Sequence, residues 1–491
     1  MNERSFLRVP TLDLGKLALT ASAIILLLAV NKLGLPGNIV FFAILIGMIA
    51  TSPEMAFKAY SLSFLGLVMN QALVLKTPVW TIARFVIPAL CLARFIVELK
   101  RLRVPLMRPR FFAALLAFVA VAAILSIMTN YFVLIALLKL FNFAIGSFAI
   151  LYGVKAMAHR RADLIPWFVA IVLAVVMLGL ATIPLGIAYN FRGSLVAGRG
   201  LFNGPFYHSN CTGPMSALMA VLMASVVVFG PYRQRWICLP LAACLVFFMV
   251  LTQSRTSFGA LLVGLGTVVV ASLLLDRQGL LKLRMRVSRF ALVGLVAMAS
   301  ILALGYDLGT DQQLTKALIT FAQKGKESET LSVEDVLASR QGMIDYMWAN
   351  FLDSPMIGIG FEVSTHPYFA ENATLFNAPI EKGFLPVAIL EETGLVGTFF
   401  FVIFLLALAV NLIRTLNVPG LALFFAFLAV NCGESMFFSL GGHGAYGWLM
   451  MAAGMMLGQQ SIVRIGTPLH SVNAAPPVAA LQRTMMPTYG A

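Results

Sequence analysis

Arg255 has neighbours that together suit the binding of an anion. It follows Ser254 and precedes Thr256 and Ser257 in LTQSRTSFGALL, where the pattern predicts the start of a helix. A helix N-terminus attracts anions, and hydroxyl groups beside an arginine can complete a cradle for phosphate. The alternative is an arginine whose guanidinium extends to the headgroups of a bilayer.

Arg340 lies in the middle of an apolar stripe. In VEDVLASRQGMIDYMWANF the apolar residues recur at helical spacing, whereas Glu334, Asp345 and Asn350 lie off the stripe. A guanidinium on a buried face needs an anion, because an unpaired buried charge costs several kcal/mol. That anion is either a ligand or one of the neighbouring carboxylates. The stripe consists of Val333, Val336, Leu337, Ile344, Met347, Trp348 and Phe351.

A glycine-rich segment, GRGLFNGPFYHSNCTG, carries a third arginine, Arg199. Its glycines allow the backbone to approach a ligand closely, and His208 and Asn210 offer polar contacts at the start of the next helix. Arg192 is a weaker candidate of the same kind. The alternative is a turn with a solvated arginine.

Glu381 is the residue best placed for proton transfer. It occurs in APIEKGFLPVAILEETGLVG, just before a long apolar run. A carboxylate at the edge of a low-dielectric region has a raised pKa and can accept a proton from a hydroxyl group. Lys382 is a further candidate, or it neutralises Glu381 as a surface ion pair.

The composition places these residues in a membrane protein. Only 11% of the 491 residues are charged, and 60% are hydrophobic, whereas about 25% are charged in soluble domains. This excludes a soluble enzyme and a nucleic-acid-binding protein, and the net charge of +15 indicates membrane topology instead. We interpret the five cysteines as small core residues: Cys91, Cys211, Cys238, Cys244 and Cys432.

The hydrophobic pattern predicts an all-α polytopic membrane protein. A bilayer core of about 30 Å needs about 20 apolar residues per helix, which gives about 14 transmembrane helices (12–14). The predicted spans are 15–34, 36–53, 57–76, 80–98, 111–129, 131–155, 165–189, 212–230, 236–252, 256–275, 289–306, 385–412, 419–438 and 444–463.

Basic residues predict the orientation of these spans. Alternate loops at 99–110, 155–163, 231–235 and 276–289 are basic. The positive-inside rule therefore places them, and both the N- and C-termini, in the cytoplasm.

The loops divide the chain into four parts. Residues 1–306 hold transmembrane helices 1–11, including an outer loop at 190–211 that we expect to contribute to the site. Residues 307–384 form one large, partly helical periplasmic loop, which carries 11 of the 20 acidic residues. Residues 385–463 hold helices 12–14, and residues 464–491 are expected to be a disordered cytoplasmic tail.

Five ionisable residues are predicted within or close to the membrane: Lys139, Glu391, Glu392, Glu434 and His443. Such residues are commonly functional, although hydrogen bonds between helices are an equal alternative. Three arginines on separate outer segments suggest a multiply charged anionic ligand at the outer surface, and a lipid diphosphate fits this description. The sequence shows no set of residues spaced as metal ligands, and we predict no metal site.

Four segments, in this order, resemble the bacterial O-antigen ligase and Wzy-type polysaccharide polymerase superfamily. They are GRGLFNGPFYHSN, LTQSRTSFG, ASRQGMIDYMWANFLDSPMIGIGF and LEETGLVGTFFF, within roughly residues 190–400. The most specific parts are the Arg-to-Gly-Ile-Gly segment at 340–360 and the Glu-x-Gly-x-x-Gly pattern at 392–397.

The resemblance implies a GT-C-like membrane glycosyltransferase of the bacterial inner membrane. Such enzymes use undecaprenyl-diphosphate-linked oligosaccharides on the periplasmic face, without a metal or another cofactor. Arginines matching Arg199, Arg255 and Arg340 would bind the diphosphate. Membrane lipids surround the protein, and a flippase and a chain-length regulator of the same pathway are possible partners.

One departure from the family pattern concerns the base. Ligases of this family usually carry a His eleven residues before the first Gly of the Glu-x-Gly-x-x-Gly pattern, and Gly383 stands there. Glu381 is the nearest ionisable residue. This favours a polymerase of an exopolysaccharide, a capsule or O-antigen over a ligase that transfers glycan to lipid A-core. A flippase or secondary transporter is the alternative from another class, and it would be expected to show internal repeats.

Overall fold

The computed structural model describes residues 11–129, 131–190, 201–252, 254–275, 341–366, 369, 371, 373–375 and 382–463. These residues fold mainly into α-helices joined by short connections. The helices are α1 (Leu14–Ala29), α2 (Leu35–Thr51), α3 (Pro53–Val68), α4 (Pro78–Arg101), α5 (Phe111–Met128), α6 (Val133–Arg160), α7 (Ile165–Thr182), α8 (Ser209–Phe229), α9 (Cys238–Leu251), α10 (Arg255–Leu275), α11 (Gln341–Asp353), α12 (Leu385–Arg414), α13 (Val418–Asn431) and α14 (Gly444–Val463).

The remaining regular elements are short. Two 3-10 turns, Val30–Leu33 and Arg235–Ile237, precede α2 and α9. Two antiparallel strands of two residues each, β1 (Tyr189–Asn190) and β2 (Leu201–Phe202), lie between α7 and α8.

The helices have the length and hydropathy of a multi-pass membrane protein. Among the described residues, six helices are long and apolar enough to cross a membrane, and several shorter apolar helices accompany them. Every predicted span coincides with a helix except 289–306, which lies outside the described residues. The number of spans therefore stays a prediction.

The exposed and buried residues separate as expected for a bundle in lipid. Large apolar side chains cover the outside; Leu19, Leu134 and Phe399 are 73%, 66% and 62% exposed. Inside the bundle, α8 is buried along its length. Exposed leucine and phenylalanine in such numbers are stable in a hydrocarbon environment and would aggregate in water.

Contacts between connections divide the helix ends into two groups. In one group, the Asn70 N–H donates to the carbonyl of Pro205 (2.9 Å). In the other, Arg160 pairs with Glu54 (2.8 Å) and Glu98 (2.6 Å). The first group holds the connections predicted to be outer and the second those predicted to be inner. This agrees with the predicted alternation of loops, whereas the side that faces the cytoplasm stays a prediction.

Three predicted spans extend at least seven residues past the end of their helix, and one of them is 165–189, whose helix α7 ends at Thr182. Helix α3 ends at Val68, so residues 69–77 of the predicted span 57–76 form a connection, which is held by a bridge between Met69 and Phe206. Helix α13 ends at Asn431, so residues 432–438 of the span 419–438 also leave the helix. The segments 69–77 and 432–438 are largely apolar, and hydropathy does not distinguish them from helix.

The large predicted loop is described only in part. Within 307–384 it contains α11, which confirms some helical content, while residues 307–340 lie outside the described residues, as does the tail 464–491. The described cysteines are all free. Cys91, Cys211 and Cys238 are buried as predicted, but Cys244 is half-buried and Cys432 is exposed, so the core interpretation is wrong for Cys432.

Candidate functional site

The connection between α13 and α14, residues 432–443, is an ordered loop that we call the α13–α14 loop. The side-chain oxygen of Asn431 accepts hydrogen bonds from the backbone N–H groups of Met436 (2.8 Å) and Phe437 (2.7 Å). The indole N–H of Trp448 donates to the carbonyl of Phe437 (2.9 Å). Met436, Phe437 and Phe438 are buried. These bonds fix a non-helical backbone within the bundle.

This loop contacts three segments that the sequence analysis selected separately. Gly433 packs so closely on Thr256, the residue after Arg255, that a Cβ would overlap it. The Ser435 N–H donates to the carbonyl of Lys382 (3.0 Å). His443 Nδ1 lies 2.9 Å from the hydroxyl of Tyr207, the residue before His208. The structure thus brings the segments around Arg255, Lys382 and His208 to one loop.

Arg255 begins α10 as predicted and is half-buried. The hydroxyls of its neighbours are engaged in packing, however. The hydroxyl groups of Ser254 and Ser257 are hydrogen-bonded to each other (2.6 Å), and Ser257 is fully buried. Gly213 of α8 lies directly against both serines. The hydroxyl cradle stays a prediction, and the two serines pack against α8.

His208 is the N-cap of α8. Its Nδ1 accepts a hydrogen bond from the Asn210 N–H (3.1 Å), which satisfies one of the free donors at the helix start. Asn210 itself is exposed. A left-handed φ of +54° at Gly204 lets the chain turn just before this cap. The helix therefore begins with polar residues as predicted, and the His208 side chain caps it by accepting the Asn210 N–H.

Lys382 is not on the surface, which corrects the expected surface pair with Glu381. Its Nζ lies 2.7 Å from Glu391 and 3.0 Å from Glu392, and all three side chains are at most 5% exposed. The pair of carboxylates reaches Lys382 because it lies on the first turns of α12. Burial would lower the pKa of Lys382, but the charges of Glu392 and Glu391 outweigh burial and raise it. Lys382 is therefore a charged residue inside the fold.

Further polar groups extend this ionic cluster. The amide of Asn350 on α11 donates to Glu391 (2.7 Å), and Lys139 on α6 donates to the backbone carbonyl of Glu362 (2.8 Å). Burial raises the pKa of Glu362, while the charges of Lys139 and Lys382 oppose that rise. Of the ionisable residues predicted near the membrane, Glu391 joins α12 to α11, and Lys139 joins α6 to the segment after α11.

The two most specific sequence segments dock on one another. Helix α12 is broken at Gly394, whose φ and ψ are 60° and −167°. The break frees backbone groups, and the chain at 355–360 satisfies them. Four hydrogen bonds result: Ile359 N–H to Glu391 O (2.9 Å), Gly360 N–H to Glu392 O (2.9 Å), Leu395 N–H to Pro355 O (2.8 Å) and Val396 N–H to Met356 O (3.3 Å).

The helix predicted around Arg340 is only partly as expected. In α11, Met347 and Phe351 are buried, but Trp348 is 44% exposed. Asn350, expected off the buried face, contacts Glu391. The spacing of apolar residues alone does not predict the exposure of Trp348 or the contact of Asn350, because α11 packs on α12 along only part of its apolar face.

Four predicted site residues lie outside the described residues: Arg192, Arg199, Arg340 and Glu381. Their roles stay predictions. Their chain neighbours are described, however: Gln341 begins α11, and Lys382 belongs to the ionic cluster.

The main feature missed by sequence reasoning is the α13–α14 loop. Glu434 and His443, two ionisable residues of this segment, were the available signal. Among the described residues, no group of three or more His, Cys, Asp or Glu side chains could hold a metal ion.

Comparison with protein families gives evidence that is independent of the structure. Residues 240–402, about a third of the chain, match the family model described as O-Antigen ligase. The match includes Arg255, α11, the docked segment 355–360 and the break in α12, whereas the α13–α14 loop follows it. No curated protein matches the chain. The match confirms the resemblance drawn from the sequence motifs: residues 240–402 are similar to the O-antigen ligase and Wzy superfamily.

Proposed function

We propose that this protein polymerises undecaprenyl-diphosphate-linked oligosaccharide repeat units on the periplasmic face of a bacterial inner membrane. One observation carries the proposal: the α13–α14 loop contacts the segments that hold Arg255, Lys382 and His208. These segments lie far apart in sequence, and two of them fall within the O-antigen ligase match. Their convergence on the predicted outer side supports one common site.

The arginines supply the binding of the donor. A lipid diphosphate carries several negative charges at headgroup depth, and Arg255 lies at the start of a membrane helix, where anions are favoured. Arg199 and Arg340 would add further positive charge, with Arg192 as an additional candidate. As the glycosidic bond breaks, negative charge grows on the diphosphate, and fixed guanidinium groups stabilise that charge.

Glu381 is the proposed proton acceptor. It removes a proton from a hydroxyl group of the acceptor sugar, and the oxygen attacks the anomeric carbon of the donor. The bond between that carbon and the phosphate oxygen breaks, its electron pair leaves with the lipid diphosphate, and the anomeric configuration inverts. Lys382 adjoins Glu381 and is fixed by Glu391 and Glu392, so it restrains the chain at this point.

The choice between polymerase and ligase depends on the acceptor. A ligase of this family would be expected to carry a His where Gly383 stands, and a glycine cannot transfer a proton. This favours the polymerase. The ligase reading stays as the second candidate because the matching family model is described as O-Antigen ligase.

Turnover with a defined donor tests the proposal. Purified full-length protein is incubated with a synthetic undecaprenyl-diphosphate oligosaccharide, with and without lipid A-core. A ladder of products supports the polymerase, and a single transfer to lipid A-core supports the ligase. Movement of the lipid across vesicles without turnover would contradict both and favour a transporter.

Two variants and a chelator sharpen the same experiment. Arg255→Ala should remove most turnover without changing protein levels in the membrane, whereas Arg414→Ala, an exposed arginine at the opposite end of α12, should not. Glu381→Gln should strongly reduce turnover; full activity would place the base elsewhere. The proposed reaction uses neither a metal nor a cofactor, so chelation should leave the rate unchanged.

A flippase and a chain-length regulator are the proposed partners.

A further inference from the structure

Lys76 lies in the connection between α3 and α4, next to the α13–α14 loop. Its side chain is half-buried, and its Nζ lies 5.1 Å from the centre of the Tyr207 ring. A cation over an aromatic ring is attracted by the ring's electrons. Burial lowers the pKa of Lys76 to about 8, so the ammonium group is mostly charged at neutral pH but is poorly solvated.

Lys76 differs from Lys382 in its partners. Lys382 has two carboxylates within 3.0 Å. Within the part of the chain that the structure describes, no carboxylate forms an ion pair with Lys76. The ring of Tyr207 compensates only part of the lost hydration, because a cation–π contact at a partly exposed site contributes about 1 kcal/mol. A partly desolvated cation of this kind attracts an anionic ligand.

Uncharged hydrogen-bonding groups adjoin this cation. The hydroxyl of Tyr207 is hydrogen-bonded to Nδ1 of His443 (2.9 Å), and Tyr207 is 40% exposed. Burial, together with the charge of His208, lowers the pKa of His443 to about 4, so its imidazole is neutral at pH 7. A phenol and a neutral imidazole each carry one donor and one acceptor, which suits the hydroxyl groups of a sugar.

Among the described residues, few charged groups lie near Lys76. Cys211 on α8 interacts electrostatically with Lys76 and also with Glu434 of the α13–α14 loop. A cysteine thiol is mostly protonated at neutral pH, so Cys211 adds little charge here. Among the described residues, Glu434 is an acidic group close to Cys211, and no ion pair joins it to Lys76.

We propose that Lys76, Tyr207 and His443 form a subsite that binds an anionic group of the glycan substrate. The proposal rests on the proposed function and names the substrate class: the ammonium of Lys76 takes the anion, and the Tyr207–His443 pair binds adjacent hydroxyl groups. The anion is either the carboxylate of an acidic sugar or a phosphate of the lipid carrier. This subsite involves the connections before α4, α8 and α14.

Binding measurements on the full-length protein in nanodiscs test the subsite. The probes are a lipid-free oligosaccharide with one glucuronic acid, the same oligosaccharide with glucose instead, and farnesyl diphosphate. Lys76→Met should weaken binding of one anionic probe at least tenfold at pH 7 and leave the neutral probe unchanged. The matched control is Lys32→Met, because Lys32 is exposed in the connection between α1 and α2 on the same side.

The pH dependence separates a charge from a structural effect. Because Lys76 loses its proton above pH 8, the wild-type affinity for the anionic probe should fall between pH 7 and 9. Lys76→Arg should keep its charge and show no such fall, since arginine stays protonated. Lys76→Gln, checked for the wild-type melting temperature, should resemble Lys76→Met.

The outcomes distinguish a sugar carboxylate from a lipid phosphate as the bound anion, and they test the subsite separately from the proposed function. Loss confined to the glucuronic acid probe identifies a carboxylate, and loss confined to farnesyl diphosphate identifies a phosphate. Unchanged binding of both anionic probes in folded Lys76→Met and Lys76→Gln proteins overturns the subsite. Normal probe binding without turnover of an undecaprenyl-linked donor overturns the proposed function and leaves the subsite intact.

Discussion

Gly358 and Gly394 each lie against the backbone just before the other glycine, and each has a positive φ that other residues rarely adopt. Their φ angles are +70° and +60°. A Cβ at Gly358 would meet the carbonyl of Glu392, and a Cβ at Gly394 would overlap the carbonyl of Met356. The two glycines therefore permit the docking of the segment 355–360 on the break in α12.

Gly394→Ala should destabilise the protein severely. Its φ and ψ of 60° and −167° fall in a region that is almost exclusive to glycine, where strain costs about 1–3 kcal/mol. Overlap with the backbone of Met356 adds to this cost. We expect a lower melting temperature in detergent and loss of turnover, measured on the purified protein.

Matched controls for this change are Gly259→Ala in α10 and Gly342→Ala in α11. Neither glycine has an atom within 4 Å of an added Cβ, and neither has a positive φ. Alanine is favoured over glycine in a helix by about 1 kcal/mol, so both controls should melt at or above the wild-type temperature. A Gly394→Ala protein as stable as these controls would contradict the role of the break.

Lys382→Ala should destabilise the protein by about 3–5 kcal/mol, because removing one partner leaves Glu391 and Glu392 buried without a counter-charge. Replacing the whole cluster with Lys382→Met, Glu391→Gln and Glu392→Gln should restore much of this stability. The measurement is the midpoint of chemical unfolding, with Lys32→Ala as the control. A Lys382→Ala protein of normal stability but without turnover would instead indicate direct contact with substrate.

The helical architecture was predictable because a helix that crosses a bilayer needs a long apolar segment, and hydropathy detects such segments. Thirteen of the fourteen predicted spans coincide with described helices. Helix ends were less predictable: Lys76 was assigned to a span because LGLVMNQALVL is apolar. From Met69 onward this segment is a partly buried connection, and an apolar sequence suits such a connection as well as a helix in lipid.

The candidate site was predictable only in its separate parts. Arg255, His208 and Lys382 stood out because each interrupts an apolar or glycine-rich run. Their common neighbour, the α13–α14 loop, depends on long-range hydrogen bonds such as that from the Ser435 N–H to the Lys382 carbonyl. Backbone bonds of this kind leave no residue signature. The partners of Lys382 were missed for a related reason, since the sequence does not show which carboxylate a lysine reaches.

Gly433→Ala should disturb Arg255 indirectly. An added methyl group would overlap the hydroxyl and methyl of Thr256, and the start of α10 would have to move away from the α13–α14 loop. We expect turnover to fall at least tenfold while the protein stays folded. Thr256→Ala removes the two closest of the three overlapping atoms, so Gly433→Ala with Thr256→Ala should recover part of the lost rate. Additive losses in the double variant would show that the two positions are not coupled.

His443 should make the protein less stable in mild acid. Burial, with His208, lowers its folded-state pKa to about 4, whereas an unfolded histidine has a pKa of about 6.5. Between these values the unfolded chain binds a proton that the folded protein excludes, so stability falls as the pH drops from 6.5 towards 4. The loss ends below pH 4, where both states are protonated. The melting temperature of the wild type should therefore drop more between pH 7 and pH 5 than that of His443→Gln, which cannot titrate. Equal drops in the two proteins would mean that the imidazole beside Tyr207 is solvated and charged in the folded state.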